Sequence, residues 1–148
     1  MKKTSFLCLI VMAALSATSC KTSEKMNADN ASTAVTTQQL AGKWEINTVF
    51  GSPAKAEKDL FIEFLPENRI HGEVGCNIYN SSYTIDPAKG ELKFAENGQL
   101  TMMFCPDMAT EDSVLKAIRA TRKYRLDEGG KCLSLLDENG KLLMKICR

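Results

Sequence analysis

The side chains with the most reactive chemistry in this sequence are six cysteines and a single histidine, His71. Thiols and imidazoles can act as nucleophile and base, bind zinc, exchange disulfides or form structural disulfides. The cysteines in the second half of the chain are Cys76, Cys105, Cys132 and Cys147, separated by 29, 27 and 15 residues. Because no Cys-x-x-Cys pair occurs, we predict neither a zinc site nor a thiol-exchange motif, and we expect no metal or cofactor.

The first 20 residues have the pattern of an exported precursor. A basic start precedes a short apolar run over residues 6–15, which is too short to span a bilayer as a helix. Small residues follow, and Ala17-Thr18-Ser19-Cys20 resembles the bacterial lipobox, although Ala17 stands where leucine is commoner. The resemblance implies that residues 1–19 are a lipoprotein signal peptide and that Cys20 is acylated and anchors the mature chain in a membrane. The alternative is an ordinary signal peptide with an unrelated cysteine.

Export determines how the remaining cysteines are interpreted. Cys8 leaves with the signal and Cys20 carries lipid, so the other four are expected to pair in an oxidising compartment, where three pairings are open. The enzymatic alternative is a Cys76 nucleophile activated by His71. Alternation along residues 69–76 places these two side chains on opposite faces of a strand, so we expect no catalytic residue and no enzyme.

Composition separates a tether from a folded domain. Residues 20–39 are rich in Ser, Thr, Ala, Asn and Lys with almost no large apolar side chain, which predicts a flexible tether. Residues 40–148 have the length of one domain with a modest core. Removal of the leader takes away two lysines and no acid, so the formal net charge changes from +1 to −1. A near-neutral chain is a poor candidate for nucleic-acid binding.

Short strands separated by turn residues must position the cysteines and His71. Alternation is clearest where Ile70, Gly72, Val74 and Cys76 share one face, which is expected to point toward the core. Further strands are predicted at residues 43–50, 60–65, 82–85, 91–94, 100–104, 124–126, 132–136 and 141–146. The pattern predicts a mostly β, α+β fold: a compact antiparallel sheet or a partly open small barrel with one packed helix.

One helix and a final hairpin complete the predicted elements. Thr110 can act as the N-cap of the helix, with Glu111 and Asp112 on its first turn. The helix buries a stripe made of Val114, Ala117, Ile118 and Thr121, with Leu115 beside it. In the hairpin, a two-residue loop at Asn139-Gly140 places Cys132 opposite Cys147, within disulfide reach. A three-residue turn with Gly140 in the left-handed conformation shifts that register by one.

A set of motifs resembles the META domain of HslJ-like envelope proteins. The motifs are Gly72-Glu73-Val74-Gly75-Cys76-Asn77, then Tyr83, then Thr101-Met102-Met103-Phe104-Cys105 ahead of the helix, and the resemblance runs over residues 40–146 with Trp44 in the first strand. Ser81 and Met102 depart from the glycine and arginine that are common at these positions. The resemblance implies a compact antiparallel domain with a packed helix, often behind a lipoprotein signal, and only a loose link to heat shock and envelope stress.

We interpret these motifs as structural. Gly72 and Gly75 bracket a strand end where side chains would crowd or a positive φ is needed, and Asn77 can hydrogen-bond its own backbone to fix the turn. A disulfide between Cys76 and Cys105 would close a loop of about 30 residues and contribute about 3 to 4 kcal/mol. Two neighbouring buried thiols are the alternative.

Together these patterns favour a non-catalytic lipoprotein with a binding or structural role in the cell envelope. Its expected partners are the membrane, through Cys20, and an unidentified envelope protein, and Lys21 favours the outer membrane with the domain facing the periplasm. The alternative is a carrier of a small apolar ligand, because Gly42-Lys43-Trp44 resembles the Gly-x-Trp in the first strand of lipocalins. Trp44 can instead plug the end of a small core, whereas an apolar cavity lined by Phe61, Ile62 and Phe64 would favour the carrier.

Overall fold

The computed structural model of the protein describes residues 36–105, 108–127 and 129–148. The predicted signal peptide, Cys20 and residues 20–35 of the predicted tether lie outside the described residues. Across the described part of the chain, no helix combines the length and the apolar character needed to cross a membrane.

Ten strands and two helices make up the described domain, and most of them match the predicted elements. The strands are β1 (Gly42–Val49), β2 (Ser52–Pro53), β3 (Phe61–Leu65), β4 (Arg69–Glu73), β5 (Ile78–Asp86), β6 (Glu91–Phe94), β7 (Gln99–Leu100), β8 (Lys123–Leu126), β9 (Cys132–Leu136) and β10 (Leu142–Cys147). The helices are α1 (Thr37–Leu40) and α2 (Ala109–Ala120), and a 3-10 turn (Pro66–Asn68) joins β3 to β4. The strand predicted at residues 100–104 is wrong beyond Leu100, because the chain there leaves the sheet.

Eight antiparallel strands close into a barrel. Each is hydrogen-bonded to the next in the order β1, β3, β4, β5, β6, β8, β9, β10, and β10 pairs with β1 to complete the circle. The first half of β1, residues 42–45, pairs with β3, and its second half, residues 45–49, pairs with β10. A bulge between Ile46 and Thr48 bends the strand within the second pairing. The predicted mostly β fold with one main helix is confirmed, and the barrel is closed rather than partly open.

Because neighbouring strands are antiparallel, the connections alternate between two ends of the barrel. We call one the entry end, since the chain enters it through α1; it also carries the turns at residues 66–68, 87–90 and 127–131, and Arg148. We call the other the helix end, because α2 closes it. The helix end also carries the connections at residues 50–60, 74–77, 101–105 and 137–141.

Side chains fill the interior between the two ends. At the entry end Trp44 is fully buried, and its indole Nε1 donates to the carbonyl of Leu40 at 2.7 Å. The guanidinium of Arg148 lies 4.3 Å from the centre of the indole ring, a cation–π contact. Trp44 therefore plugs the end of a small core. At the helix end the predicted stripe of α2 is confirmed, because all of its members are buried: Val114, Leu115, Ala117, Ile118 and Thr121.

The beginnings of the two helices differ from the sequence-based prediction. Residues 36–39, which composition assigned to the tether, form the start of α1, where Thr36 and Gln39 make a capping box. In α2 the N-cap is Met108, without a side-chain hydrogen bond, so the prediction of Thr110 is wrong. The hydroxyl of Thr110 instead donates to the carbonyl of Lys55 at 2.8 Å and ties the helix to the loop at residues 50–60.

The last hairpin combines the two registers that its sequence allows. The backbone N–H of Asp137 donates to the carbonyl of Lys141 at 3.0 Å, and Gly140 has φ +82°, so the turn has three residues with a left-handed glycine. A bulge between Leu142 and Met144 then shifts the pairing back by one. Cys132 consequently lies opposite Cys147, and the two form the predicted disulfide.

Candidate functional site

The buried side chain of Asn77 joins three segments at the helix end. Its Oδ1 accepts hydrogen bonds from the hydroxyl of Thr101 and the backbone N–H of Met103, both at 2.8 Å. Its Nδ2 donates to the carbonyl of Met103 at 3.3 Å and to Oε1 of Glu111 at 3.1 Å. The expectation that this side chain fixes its own turn is wrong, because the backbone N–H of Val74 closes the turn by donating to the Asn77 carbonyl at 3.2 Å.

Glu111 is a buried acid that the sequence analysis assigned only to the helix dipole. The residue is 1 % exposed. Its Oε2 accepts from the backbone N–H of Asn77 at 2.8 Å, so both carboxylate oxygens contact the same residue. Glu111 precedes Val114 and Leu115 by three and four positions and therefore lies on the buried stripe of α2. An acid on that stripe is the sequence signal that could have revealed a buried polar partner.

Two glycines of the motif occupy positions where a side chain would collide with its surroundings. A Cβ at Gly75 would lie 2.5 Å from Cβ of Glu111, so the glycine lets α2 approach the turn. A Cβ at Gly72 would overlap the carbonyl oxygen of Phe61 on the neighbouring strand. The predicted crowding is confirmed at both positions, and neither is among the glycines with positive φ.

The predicted disulfide between Cys76 and Cys105 is present, with a Cα–Cα distance of 6.3 Å. Cys76 does not point into the core as predicted, because β4 ends at Glu73 and the turn at residues 74–77 redirects the chain. Both cysteines are half-buried. They border a surface depression of about 410 Å³ whose rim also includes Lys55, Lys58 and Thr110.

The clamp formed by Asn77 and the disulfide presents the loop at residues 101–105 to solvent. Met102 is 91 % exposed, Phe104 is 98 % exposed and Met103 is 48 % exposed. The hydroxyl of Thr101 also accepts from the backbone N–H of Ile78 at 3.0 Å, which fixes the start of the loop against β5. The backbone of the loop is therefore held in place while its largest side chains project outward.

The other motif residues lie away from this cluster. Gly72 is within β4, and Tyr83 is in the core, where its ring packs edge-on against Phe64 with 5.1 Å between centroids. Burial raises the pKa of the Tyr83 hydroxyl above its usual value. Cys132 and Cys147 are at the entry end. The helix end thus brings together six motif residues: Gly75, Cys76, Asn77, Thr101, Met103 and Cys105.

Reactive groups are not gathered into one place in the described ranges. His71 lies on the outer face of β4, with its Nδ1 2.9 Å from Oδ1 of Asn80, and the sulfur of Cys76 is bonded to Cys105. No three His, Cys, Asp or Glu residues of the described chain converge as metal ligands. The geometry around Asn77 holds the loop at residues 101–105 against α2 and the turn at residues 74–77.

The three residues named for a carrier cavity do not share a face of the sheet. Ile62 and Phe64 point into the interior and are almost completely buried. Phe61 points outward, where the Nζ of Lys43 lies 4.0 Å from the centre of its ring. The side chains therefore cannot line one cavity.

Comparison with known proteins agrees with this architecture. The solved structures that resemble it include an NMR structure of a protein from Burkholderia xenovorans, 19 % identical, with a TM-score of 0.61 over 82 % of this chain and 91 % of that chain. A second NMR structure is 19 % identical, with a TM-score of 0.57 over 76 % and 94 % of the two chains. A crystal structure of a DUF4847 family protein from Bacteroides vulgatus is 14 % identical, with a TM-score of 0.51 over 73 % and 92 %. Identities this low show a shared fold only.

The family comparison is more specific than the structural one. No curated protein matches the chain. The model of the META domain family matches residues 37–146, which include every motif residue clamped around Asn77 and most of the described barrel. On this match, the chain belongs to the META domain family.

Proposed function

We propose that this protein is an exported lipoprotein, anchored through Cys20, whose META domain has a non-catalytic binding or structural role in the cell envelope. The observation that carries the proposal is the pairing of all four domain cysteines in two disulfides. Disulfides of this structural kind form and persist outside the reducing cytosol. The predicted leader, which ends in Ala17-Thr18-Ser19, supplies the route out of the cytosol, and Cys20 directly after it is the residue for the anchor.

The non-catalytic part of the proposal is supported by where the reactive groups lie. The sulfur of Cys76 is bonded to Cys105, so it has no S–H group that could ionise to a thiolate nucleophile. His71, on the outer face of the sheet, is engaged with Asn80. The clamp at Asn77 gives rigidity to an exposed loop, which suits recognition of a partner. A carrier role is not proposed, because Phe61 and Ile62 lie on opposite faces of β3.

The proposal also covers the membrane that holds the anchor and the physiological role of the domain. Lys21 after Cys20 favours transfer to the outer membrane, with the domain in the periplasm, because an aspartate at that position would resemble an inner-membrane retention signal. The resemblance to HslJ-like proteins connects the family loosely to heat shock and envelope stress. We therefore place the proposed binding or structural role in the envelope under stress.

Metabolic labelling with an alkyne-bearing palmitate tests the anchor in bacteria that express the full chain. We expect the wild type to incorporate the label, fractionate with membranes and begin at an acylated Cys20 by mass spectrometry. Cys20→Ser should lose both label and membrane association, because the acceptor thiol is gone. Cys8→Ser is the matched control in the same leader and should behave as the wild type.

Two further measurements test the anchor and the choice of membrane separately. Recovery of an unprocessed, lipid-free wild type with four free domain thiols would overturn it. On a density gradient, the wild type should travel with the outer membrane and Lys21→Asp with the inner membrane. Equal distribution of these two proteins would leave the anchor standing and remove the assignment to the outer membrane.

A further inference from the structure

The two disulfides differ in how the surrounding chain holds their cysteines. Cys132 and Cys147 are paired residues of the neighbouring strands β9 and β10, and Cys147 also pairs with Glu45 of β1. The backbone N–H of Asp127 donates to the carbonyl of Cys132 at 2.9 Å. The barrel therefore keeps these two sulfurs side by side even without the bond between them, which favours its re-formation after any cleavage.

Cys76 and Cys105 lie in connections at the helix end and not in strands. Their Cα atoms are 6.3 Å apart, compared with 4.1 Å for the other bridge. The turn at residues 74–77 has hydrogen bonds of its own, and Asn77 holds the loop as far as Met103. From there to Cys105 the loop is held by the disulfide. Cleavage of this bridge would release the end of the loop and leave the turn, α2 and the barrel in place.

The surface depression at the helix end gives access to this bridge. Its volume is about 410 Å³, and both Cys76 and Cys105 line it. In thiol–disulfide exchange an attacking thiolate must reach one of the two sulfurs, so the reaction depends on access. A depression that opens onto the bridge provides a path for the attacking group.

The charged side chains around the depression favour the exchange. Among the described residues that line it, Lys55 and Lys58 are basic and Glu57 is acidic, so the bases outnumber the acid. The attacking group and the departing cysteine are both thiolates, and nearby positive charge stabilises thiolates. The buried acid Glu111 has both carboxylate oxygens bonded to N–H groups of Asn77. The two lysines are therefore expected to accelerate cleavage of the bridge.

We infer that the Cys76–Cys105 disulfide is a reaction site, which a dithiol protein of the Cys-x-x-Cys class reduces in the folded domain while the Cys132–Cys147 disulfide stays closed. This protein is the substrate in the exchange, since its own sequence has no Cys-x-x-Cys pair. Reduction frees the end of the loop at residues 101–105, and reoxidation fixes it again. The reaction adds a reversible covalent change to the proposed function and does not depend on the anchor at Cys20.

The exchange has two steps. A thiolate of the dithiol attacks one sulfur of the bridge, so that a mixed disulfide forms, the bond between Cys76 and Cys105 breaks, and the other cysteine leaves as a thiolate and takes up a proton. The second thiol of the partner loses its proton, attacks the mixed disulfide and releases the remaining cysteine. Two electrons and two protons thereby pass from the dithiol to the two cysteines, and the partner leaves as a disulfide.

Stepwise reduction of the native full chain tests the order in which the bridges open. The protein, purified in mild detergent, is exposed to increasing dithiothreitol without denaturant, and free thiols are alkylated and located by peptide mass spectrometry. We expect Cys76 and Cys105 to react at a dithiothreitol concentration at least about tenfold lower than Cys132 and Cys147, with unchanged fluorescence of Trp44. Simultaneous opening, the reverse order, or loss of the Trp44 signal with the first bridge would overturn the inference.

Charge variants test the part played by the lysines. The double variant Lys55→Gln, Lys58→Gln should slow reduction of this bridge about threefold, the change expected when a leaving thiol becomes about tenfold less acidic. Glu57→Gln should accelerate the reduction. Lys93→Gln, at an exposed position of β6, is the matched control and should have the wild-type rate. Equal melting temperatures of the oxidised proteins exclude misfolding, and equal rates in all of them would contradict the role of the lysines.

A trapped intermediate tests the class of partner. The probe is a purified thioredoxin-fold protein whose second Cys-x-x-Cys cysteine is replaced by serine, so that the second step of the exchange cannot occur. We expect a mixed disulfide with wild-type Cys76 or Cys105, and none with the double variant Cys76→Ser, Cys105→Ser, which keeps the other bridge. No adduct with the wild type, or an adduct through Cys132 or Cys147, would overturn the inference. A lack of acylation at Cys20 in the same preparation would count against the proposed function alone.

Discussion

Glu111 and Asn77 show how single residues can join a helix, a turn and a loop. A carboxylate is expensive to bury unless its oxygens accept hydrogen bonds. Here both oxygens accept from N–H groups of Asn77, whose Oδ1 in turn holds Thr101 and Met103. Removing one of these residues therefore leaves a buried polar atom of another without a hydrogen-bond partner. The loss of folding stability is then larger than for one exposed hydrogen bond.

Glu111→Gln is expected to lower the free energy of unfolding by about 1 to 3 kcal/mol. Glutamine has one acceptor oxygen and would turn an N–H group toward one of the two donors of Asn77. Urea unfolding followed through the fluorescence of Trp44, the single tryptophan, measures the change. Asp112→Asn is the matched control, because it removes a charge from the same helical turn at an exposed position. Equal losses in both variants would contradict a role for the buried contact.

At the scale of elements, the turn between β8 and β9 depends on Asp127. Its Oδ1 accepts from the backbone N–H groups of Lys131 at 2.8 Å and Cys132 at 3.1 Å. The hydrogen bond from Cys132, with a further one from Lys131, lowers the pKa of Asp127 below its ordinary value of 3.8. The ionised aspartate thus stabilises the turn beside the Cys132–Cys147 disulfide.

Asp127→Asn is expected to lower the melting temperature near pH 7 and to have progressively less effect in acid. Because the folded pKa is lower than the unfolded value, the stabilising contribution is present above about pH 4 and is lost as the pH falls through the folded pKa. Thermal melts of both proteins from about pH 7 to about pH 2 measure the difference. Exposed Glu138→Gln serves as the control, and a gap between wild type and Asp127→Asn that is constant with pH would contradict the prediction.

How far the elements could be predicted depends on whether the signal is local. Alternation, turn residues and the apolar stripe of α2 predicted most strands and the buried helix face, because each reflects contacts between near neighbours in sequence. The apolar run at residues 102–105 also suggests a strand. The chain nevertheless leaves the sheet there, because Asn77, 24 to 26 residues away, accepts hydrogen bonds from Thr101 and Met103. The contact between Asn77 and Glu111 spans 34 residues. Its only sign in the sequence is that an acid, Glu111, lies on the apolar stripe of α2.

For the whole molecule, the two disulfides reinforce opposite ends of one closed barrel. Cys132 and Cys147 join neighbouring strands at the entry end, and Cys76 and Cys105 join the clamp at the helix end. The barrel itself is closed by backbone pairing of β1 with β10. Closure of the sheet therefore does not depend on the bridge at the helix end.

The double variant Cys76→Ser, Cys105→Ser is expected to fold and to lose about 3 to 4 kcal/mol of stability, because the unfolded chain regains the freedom of a loop of about 30 residues. Denaturant unfolding measures this loss. Wild-type protein treated with a reductant loses both bridges and should be less stable than the double variant. An unchanged stability of the double variant would show that this disulfide is not formed in the native protein.

The contact of Arg148 with the entry end has a practical consequence. Its Nη1 donates to the carbonyl of Ala41 at 3.4 Å, and its guanidinium covers Trp44, so the last described residue lies beside the first helix. A reporter fused after Arg148 through a short linker would consequently emerge beside α1 and leave the helix end of the barrel unshielded. The same adjacency makes the barrel suited to circular permutation, with residue 148 joined to residue 36 and new ends opened at the turn of residues 137–141.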